Sequence, residues 1–486
     1  AAALVAAQAG AAQLTYLQQL LDATPQGGWV QVNLNKFSDA WATPAQGGLP
    51  SGTYSNPGAI VPAWSSVAWD SQRGNLLLFG GGHANYMGNE MYVFQGATGT
   101  WTRGSLPSKM TPFGNYGGFY TVDDRAPQSA HTYDNSVYVK KNDMYVTFGG
   151  AAFNSGSGFQ VRGADGNPVT AGPWMWDPRK ADANKVGGTT GSGYLPSTVG
   201  GEMWSNQRGR WTGNGPGASP SFLETNSAVR VENGKDVIYV TSDRNASGWQ
   251  SLYRYELGDV RAGEIGKFNQ VGFSWNAPAY QSAAAFDTVH NLYVHTSAVG
   301  SSFRGFGVWD LSTLPKDGTG AVTDCVQWGS GSNRCVVDKY VSLVDAAGHA
   351  VAVNAEHGIA FDERSGKFLL WDAKNQGRLL ETQAQYGADG KLLGTWLATE
   401  LLSTTTAQPV GKFRTASYEM GVLGKWQYVS ELGAFVALDN YNATTMDAGV
   451  WLYKPFAGVV PEPQTLALLL VGLGAIGLKT RRSQRA

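Results

Sequence analysis

The stretch AWSSVAWDSQRGNLLLFGGGHANYMGNEMYVFQGATGTWTR, residues 63–103, decides the fold of this chain of 486 residues. It contains four short runs of strand composition, SSVAWD, NLLLFGG, NEMYVF and TWTR, which polar or Gly-rich turns separate. One four-stranded meander of this kind cannot bury both of its faces. The stretch therefore predicts further copies of itself along the chain.

Five later segments repeat the pattern. The second copy runs from SAHTYDNSVYV to GRWTG near residue 212, and the third, fourth and fifth begin at TNSAVRV, QSAAAFD and HGIAFDE. The sixth, from KWQYVS to GVWLYKP, is one strand short, and the isolated strand at residues 29–33 is the expected partner. Repeats of about 50 residues with four strands each predict an all-β fold, a six-bladed β-propeller closed by that N-terminal strand. Seven blades are the alternative if residues 186–222 contain further strands.

The repeats resemble those of kelch and galactose-oxidase-like propellers. The resemblance is clearest where LLLFGGG precedes a Gly-Asn-Glu-Met-Tyr strand and a strand with Trp, and where MYVTFGG precedes PWMWDP. It spans residues 29–456 and implies a kelch-type propeller. Galactose-oxidase chemistry requires a cysteine cross-linked to tyrosine and a Tyr-His pair. Here both cysteines fall in one loop and no Tyr-His dipeptide occurs, so the copper-radical activity is not expected.

Both ends of the chain have the composition of targeting segments. Residues 1–12 are Ala-rich and are interpreted as the remnant of a signal peptide, and residues 13–28 as a short amphipathic helix with its lead-in. Residues 457–486 contain Pro-Glu-Pro at 461–463, an apolar run at 466–478 and a basic cluster. This order resembles the PEP-CTERM sorting signal of exopolysaccharide-producing Gram-negative bacteria.

The sorting-signal resemblance implies export to the periplasm, the cell surface or the extracellular matrix. It also implies an exosortase-type processing enzyme as a partner, with membrane contact only through the C-terminal segment. The net charge of −1 and the sequence pI near 6.7 provide no basic surface for nucleic acid, which is excluded as a partner. In an exported protein, Cys325 and Cys335 are expected to form a local disulfide; two free thiols are the alternative.

One face of the predicted propeller collects polar, aromatic and basic residues. The loops between second and third strands and the segments that precede the first strands both lie there, around one mouth of the central channel. The candidate catalytic residues on this rim are His83, Tyr86, His131, Tyr133, Arg244 and Arg304. The candidate substrate-binding residues are Asn85, Trp64, Tyr280, Glu356, His357 and Arg378.

These residue types suit proton abstraction next to a carboxylate. An Arg would neutralise the acid, a His would act as base and a Tyr would protonate the leaving oxygen of a uronate-containing polysaccharide. A divalent metal such as zinc or manganese held by His83, His131 and His357 is a second option. The structural alternatives are loop hydrogen bonds for the histidines, channel packing for Tyr133 and ion pairs for the arginines.

Two functional hypotheses follow. In the first, the propeller binds or processes an extracellular carbohydrate, such as an exopolysaccharide, with lyase chemistry at the rim. In the second, it is a non-catalytic matrix or surface-adhesion protein whose rim is only a recognition surface. The insert HANYMGN, which begins at His83, recurs in no other repeat. A purely structural repeat does not explain that insert, so His83 is the first residue to test.

Overall fold

The strands expected in residues 63–103 are present in a predominantly β structure with few, short helices. The computed structural model describes residues 14–112, 120–122, 125–153, 155–188, 194–213, 222–243, 250–274, 281–299, 303–314, 336–354, 356–372, 378–414 and 419–457. Cys325 and Cys335 lie outside these ranges, so their disulfide stays a prediction. Within the described part of the chain, no helix is long and apolar enough to cross a membrane.

Most strands belong to successive antiparallel meanders of four. The first consists of β2 (Val67–Asp70), β3 (Asn75–Leu78), β4 (Tyr92–Gln95) and β5 (Thr100–Arg103). The second consists of β8 (Ser136–Val139), β9 (Met144–Thr147), β12 (Trp174–Trp176) and β13 (Trp204–Asn206). The third consists of β15 (Ser227–Glu232), β16 (Lys235–Thr241), β17 (Gln250–Glu256) and β18 (Gly266–Ser274).

The remaining meanders complete the series. The fourth consists of β19 (Ala284–Asp287), β20 (Leu292–Val299), β21 (Phe303–Asp310) and β23 (Lys339–Val344). The fifth consists of β25 (Gly358–Asp362), β26 (Lys367–Asp372), β27 (Arg378–Thr382) and β28 (Thr395–Leu401). The sixth consists of β31 (Trp426–Val429), β32 (Ala434–Asn442), β33 (Asp447–Lys454) and the N-terminal β1 (Gly28–Gln31).

Short elements connect or extend these meanders. The other strands are β6 (Met110–Pro112), β7 (Tyr120–Val122), β10 (Gln160–Arg162), β11 (Pro168–Thr170), β14 (Trp211–Thr212), β22 (Val336–Val337), β24 (Ala350–Val351), β29 (Phe413–Arg414) and β30 (Glu419–Met420). The α-helices are α1 (Thr15–Ala23), within the range expected for it, and the single turn α2 (Gly82–Asn85). The 3₁₀ helices are Phe37–Ala40, Pro44–Gln46, Pro57–Ile60, Pro178–Lys180, Pro196–Thr198, Leu311–Thr313 and Leu423–Lys425.

The first strands of the meanders surround a common axis. Each contacts the first strand of the next meander, in the order β2, β8, β15, β19, β25 and β31, and β31 contacts β2 again. The side chains of each first strand alternate between the two faces of its sheet, so adjacent sheets pack face to face around the axis. The arrangement is β-propeller-like.

The predicted closure by the N-terminal strand is present. Strand β1 pairs antiparallel with β33, from Gly28 opposite Lys454 to Gln31 opposite Trp451. Trp29 is 2% exposed and packs its ring against Tyr453 at 5.0 Å and Trp426 at 5.5 Å. Helix α1 covers this seam, because Lys454 Nζ donates to the carbonyl oxygens of Leu21 and Thr24, at 2.8 and 2.9 Å.

The prediction for the fourth strand of the second meander is wrong. The structure closes that meander with β13, whereas the GRWTG segment forms β14, which pairs parallel with β18 of the third meander. The outer strands β23 and β28 also pair parallel and join the fourth and fifth meanders. Both contacts cover outer strand edges that would otherwise expose unpaired backbone groups. A prediction from the repeat period of the sequence assigns each strand only to its own repeat, so it cannot detect pairing between repeats.

The closure makes a direct stability prediction. Trp29→Ala removes a buried indole from the β1 seam and should lower the free energy of unfolding by about 3–5 kcal/mol. The exposed neighbour in the same strand, Gln31→Ala, is the control and should change it by less than about 0.5 kcal/mol. Denaturant unfolding of both variants measures the difference. Equal effects would show that the seam does not depend on the Trp29 contacts.

Candidate functional site

Two histidines of the predicted rim lie next to each other because one carbonyl group holds both backbones. The oxygen of Ala151 accepts the amide of His83 at 3.1 Å and that of His131 at 2.9 Å. The two imidazoles meet edge to face, with centroids 5.8 Å apart. His83 is exposed, and Gly156 makes room for its ring, since a Cβ at Gly156 would lie 2.8 Å from Cε1 of His83.

The second histidine is part of a buried aromatic cluster. His131 is 2% exposed and packs against Trp64 in a tilted arrangement with a centroid distance of 4.8 Å, while Tyr133 meets its edge at 6.0 Å. Its Nε2 lies 2.8 Å from Oδ1 of Asn85. Because an amide oxygen only accepts hydrogen bonds, Nε2 of the neutral imidazole carries the proton and Nδ1 is unprotonated. The structure thus brings together Trp64, His83, Asn85, His131 and Tyr133, which we call the rim cluster.

The surroundings of His131 hold it in the neutral form. Burial lowers its pKa to about 3, and the nearby His83 and Lys425 act in the same direction. A group with so low a pKa is a weak base at neutral pH. His131 therefore suits a positioning role for Asn85 and Trp64 better than the role of general base, and His83 is the exposed imidazole of the pair.

A chain of side chains crosses the rim from the first meander to the third. Trp64 Nε1 donates to Oε1 of Gln281 at 2.8 Å, and Gln281 Nε2 donates to Oε1 of Glu224 at 2.8 Å. The Gln281 amide also donates to the Glu224 carbonyl at 3.0 Å. These bonds fix the half-buried Trp64 ring in place.

Several rim residues have left-handed backbone conformations. Trp64, Tyr133, Gln281 and Leu423 have φ of 29°, 47°, 51° and 50°, and each lies three residues before the first strand of its meander. Their recurrence at one repeat position identifies this conformation as a feature of the fold. His83, with φ of 39°, has no counterpart at that position. A side chain as bulky as histidine rarely adopts this region, so its conformation is specific to the HANYMGN turn.

Two buried ionisable residues precede the first strands β31 and β8, and sequence reasoning missed both. Lys425 is fully buried and its Nζ donates to the Ser65 carbonyl at 2.9 Å. Asp134 is 6% exposed; its Oδ2 accepts the Ala284 amide at 2.7 Å and its carbonyl accepts that of Ser227 at 2.8 Å. Burial raises the pKa of Asp134 well above its ordinary value and lowers that of Lys425 to about 7. No sequence motif marks either residue. The only signal for a buried charge is the position of Lys425 directly before strand β31.

Tyr86 does not belong to the rim cluster, contrary to the expectation for the HANYMGN turn. Its side chain is completely buried and its hydroxyl donates to Oε1 of Glu90 at 2.5 Å, beside the hydroxyl of Tyr92 at 2.6 Å. Burial raises the pKa of both the Tyr86 phenol and the Glu90 carboxyl. The turn therefore separates its residues, with His83 directed to solvent and Tyr86 to the core.

The remaining candidates lie apart from the cluster or outside the described residues. His357 is buried, accepts the Asn354 amide at Nδ1 and places Nε2 2.9 Å from Asp372, which Arg378 approaches at 3.2 Å. Arg378, a candidate substrate-binding residue, therefore forms an ion pair with Asp372. The carbonyl of Glu356 accepts the Leu423 amide at 3.2 Å, and Arg304 is exposed on β21. Arg244 and Tyr280 lie outside the described residues.

The metal option receives no support from the geometry. Among the described residues, no group of three His, Cys, Asp or Glu side chains is placed to hold a metal ion. His83 and His131 are adjacent, but His357 faces Asp372 instead. A three-histidine centre is therefore not formed by the predicted residues.

Comparison with known proteins identifies the C-terminal segment. Residues 459–483 match the family model described as the PEP-CTERM protein-sorting motif, which confirms the resemblance read from the sequence. The motif indicates an exported protein that an exosortase processes. Comparison with curated proteins found no match.

Two solved structures are similar to this chain at low identity. One is a variant of the α-L-arabinofuranosidase from Fusarium graminearum with an iminosugar inhibitor, at 11% identity, TM-score 0.36 and coverage of 82% of this chain and 95% of that one. The other is a variant of the exo-β-1,3-galactanase from Phanerochaete chrysosporium with β-1,3-galactotriose, at 10% identity, TM-score 0.28 and coverage of 84% and 70%. At these scores the likeness carries no inference about activity.

The neutral state of His131 makes a prediction about acid stability. Its pKa is about 3 in the folded chain and 6.5 ordinarily, so the unfolded state binds more protons between these values. The contribution of His131 to the free energy of unfolding is therefore fully present above pH 6.5 and is lost on acidification. Between pH 8 and pH 5 this loss amounts to about 2 kcal/mol. His131→Gln should flatten that part of the pH dependence of unfolding, whereas the exposed His349→Gln should retain it. An unchanged slope in His131→Gln would contradict the assignment.

The position of Tyr86 makes a second prediction. Tyr86→Phe removes the donor to a buried carboxylate and should lower the free energy of unfolding by about 1–3 kcal/mol. The more exposed Tyr386→Phe is the control and should change it little. Thermal and denaturant unfolding measure both. Wild-type stability in the Tyr86→Phe variant would show that the Tyr86 hydroxyl does not donate to the Glu90 carboxylate.

Proposed function

We propose that this protein is an exported, six-bladed, kelch-type β-propeller, formed by residues 29–456, whose rim cluster binds an extracellular carbohydrate such as an exopolysaccharide. The observation that carries the proposal is the exposed His83 beside the Trp64–His131–Tyr133 cluster, in an insert without counterpart in the other repeats. The first-strand contacts, which run through six meanders and return to β2, support the blade number. The sorting motif supports a destination where such glycans occur.

The cluster has the physical properties of a sugar-binding surface. An indole ring such as that of Trp64 provides a flat apolar face for the C–H side of a pyranose, and its orientation is already fixed by Gln281. Imidazole and amide groups beside it provide donors and acceptors for hydroxyl groups. Since the neutral His131 contributes no charge, the surface suits the recognition of hydroxyl groups. The exposed His83 imidazole is the group that can hydrogen-bond to them.

Binding should depend on the half-buried Trp64 and the exposed His83. Trp64→Ala and His83→Asn should each weaken binding to an exopolysaccharide by at least about tenfold, or about 1.4 kcal/mol. Asn is chosen at position 83 because it tolerates the left-handed backbone better than most residues. Affinity electrophoresis or calorimetry against a panel of acidic and neutral polysaccharides measures the effect, with the exposed His349→Asn as matched control. Undiminished binding in both rim variants would remove the rim from the proposal.

A lyase activity at the same site is the second candidate. It is favoured by the exposed His83 imidazole next to the Tyr133–His131 pair, which places a base and an acid side by side. The neutralising cation would come from Arg304 or Arg244. Incubation of the chain with uronate polysaccharides should then release products with unsaturated-uronate absorbance, and His83→Asn should abolish this release. Binding without any such product would leave the rim as a recognition surface, the adhesion alternative.

A further inference from the structure

A large cavity lies on the axis of the ring, on the side of Asp134 opposite the rim cluster. It has a volume of about 820 Å³, which is within the range of small-molecule sites. Residues of all six first strands line it, and Asp134 stands at its inner end. Its mouth lies among the turns between first and second strands, at Ser71, Lys140, Thr288, Glu363 and Glu431. The cavity therefore opens on the face opposite the rim.

Peptide groups of the first strands contribute to the cavity wall. In an antiparallel pair, every second residue directs its N–H and C=O away from the partner strand. In β2 these residues are Val67 and Trp69, because Gln427 from β31 accepts the Trp69 amide at 3.0 Å and donates to the Val67 carbonyl. The bonds of Ser227 and Ala284 to Asp134 identify the same register in β15 and β19. Gln427 and Asp134 already pair the peptide groups at these positions. By the same alternation, Tyr138, Val229 and Phe286 direct their peptide groups toward the axis.

Carboxyl groups outnumber cations in the cavity. Its lining contains the cations Lys140 and Arg230 and the carboxyl groups Asp134, Glu232, Asp236, Glu363 and Glu431. Arg230 forms an ion pair with Glu232 and lies over the ring of Phe286 at 4.0 Å, and Lys140 Nζ lies 3.4 Å from Glu431 at the mouth. Both cations are thus already paired, and the excess of carboxyl groups disfavours an anionic ligand. Hydroxyl groups, which donate and accept at once, match the peptide N–H and C=O groups that face the axis.

The chain leaves the fold on the same face. Pro455, Phe456 and Ala457 lie in a pocket with the turns between first and second strands of the fifth and sixth meanders, around Asp362 and Gly433. These meanders also contribute Glu363 and Glu431 to the cavity mouth. The segment that carries the sorting motif therefore starts beside the cavity mouth, and the rim cluster faces the other way.

We propose that the axial cavity is a second binding site, which takes a neutral, hydroxyl-rich ligand of the oligosaccharide class. The site is distinct from the rim cluster, since no residue of that cluster lines the cavity. The two sites would let one molecule hold a glycan at each end of its axis, with the cavity on the side of the sorting segment. The alternative occupant of such a polar cavity is ordered water alone.

Calorimetric titration of the full chain tests the proposal with cellotriose, maltotriose and β-1,3-galactotriose as neutral probes and trigalacturonate as the charged probe. At least one neutral probe should bind, and more tightly than trigalacturonate. Ser71→Trp and Thr288→Trp place an indole at the mouth from opposite sides and should weaken that binding at least tenfold. Thr98→Trp, in an exposed turn that does not line the cavity, is the matched control. A long soluble polysaccharide with the sugar and linkage of the probe that binds, at equal concentration of chain ends, distinguishes capture of polymer ends from capture of free oligosaccharides.

The outcomes separate this site from the rim. His83→Asn should leave binding of the neutral probe unchanged; if it abolishes the binding, the ligand is at the rim, and the cavity proposal is wrong while the proposed function stands. Absence of binding for every neutral probe, or wild-type affinity in both mouth variants, also overturns it. Amide hydrogen exchange of the unmodified chain decides the matter even if the mouth variants do not fold. The bound probe should slow exchange at Tyr138, Val229 and Phe286, and unchanged exchange at these amides would leave only water in the cavity.

Discussion

The pairing of β1 with β33 is the constraint on which the rest of the structure depends. It joins Gly28 to Lys454 across nearly the whole described chain, so the contacts around the axis form only when both ends are in place. Closing so long a loop costs conformational entropy, which local contacts do not offset. The buried Trp29, whose ring contacts Tyr453, Trp426 and Trp371, supplies apolar burial at this seam. Lys454 then fixes the C-terminal end of α1 to the same seam, so the start of the chain and its exit lie together.

Closure of the ring brings together groups that are far apart in sequence, and the axis shows the consequence. Lys425 of the sixth meander reaches Ser65 of the first, while Asp134 of the second receives amides from the third and fourth. Each of these side chains is buried, and each would be costly if its partner were missing. The polar groups therefore tie the sheets into a specific order around the axis, which apolar packing alone does not determine. Asp134 also lines the axial cavity, whereas no residue of the rim cluster does.

The sequence predicts the strands well where hydrophobic periodicity and turn residues agree, as in LLLFGG and EMYVF, and it identifies the partner of the orphan strand at Trp29 by counting. It fails where contacts cross between repeats. The segment at Trp211 has strand composition, but its partner β18 belongs to the next meander, and no local pattern encodes that choice. The same limit applies to the site: proximity of His83 and His131 followed from the repeat, whereas the inward turn of Tyr86 toward Glu90 depends on tertiary packing. Asp134 and Lys425 carry no motif, so only the closed ring reveals them.

Backbone strain alone does not distinguish function from fold in this protein. Four rim residues have left-handed backbones at one repeat position, three residues before a first strand, and they include Leu423, which has no polar group in its side chain. That conformation recurs at the entry to four of the six first strands, so it is a feature of the repeat rather than of a site. His83 differs because its conformation, its exposure and the packing of its ring against Gly156 occur together in a turn without counterpart. The functional inference therefore depends on what does not repeat: an exposed imidazole held beside a neutral, buried one by a shared carbonyl of Ala151.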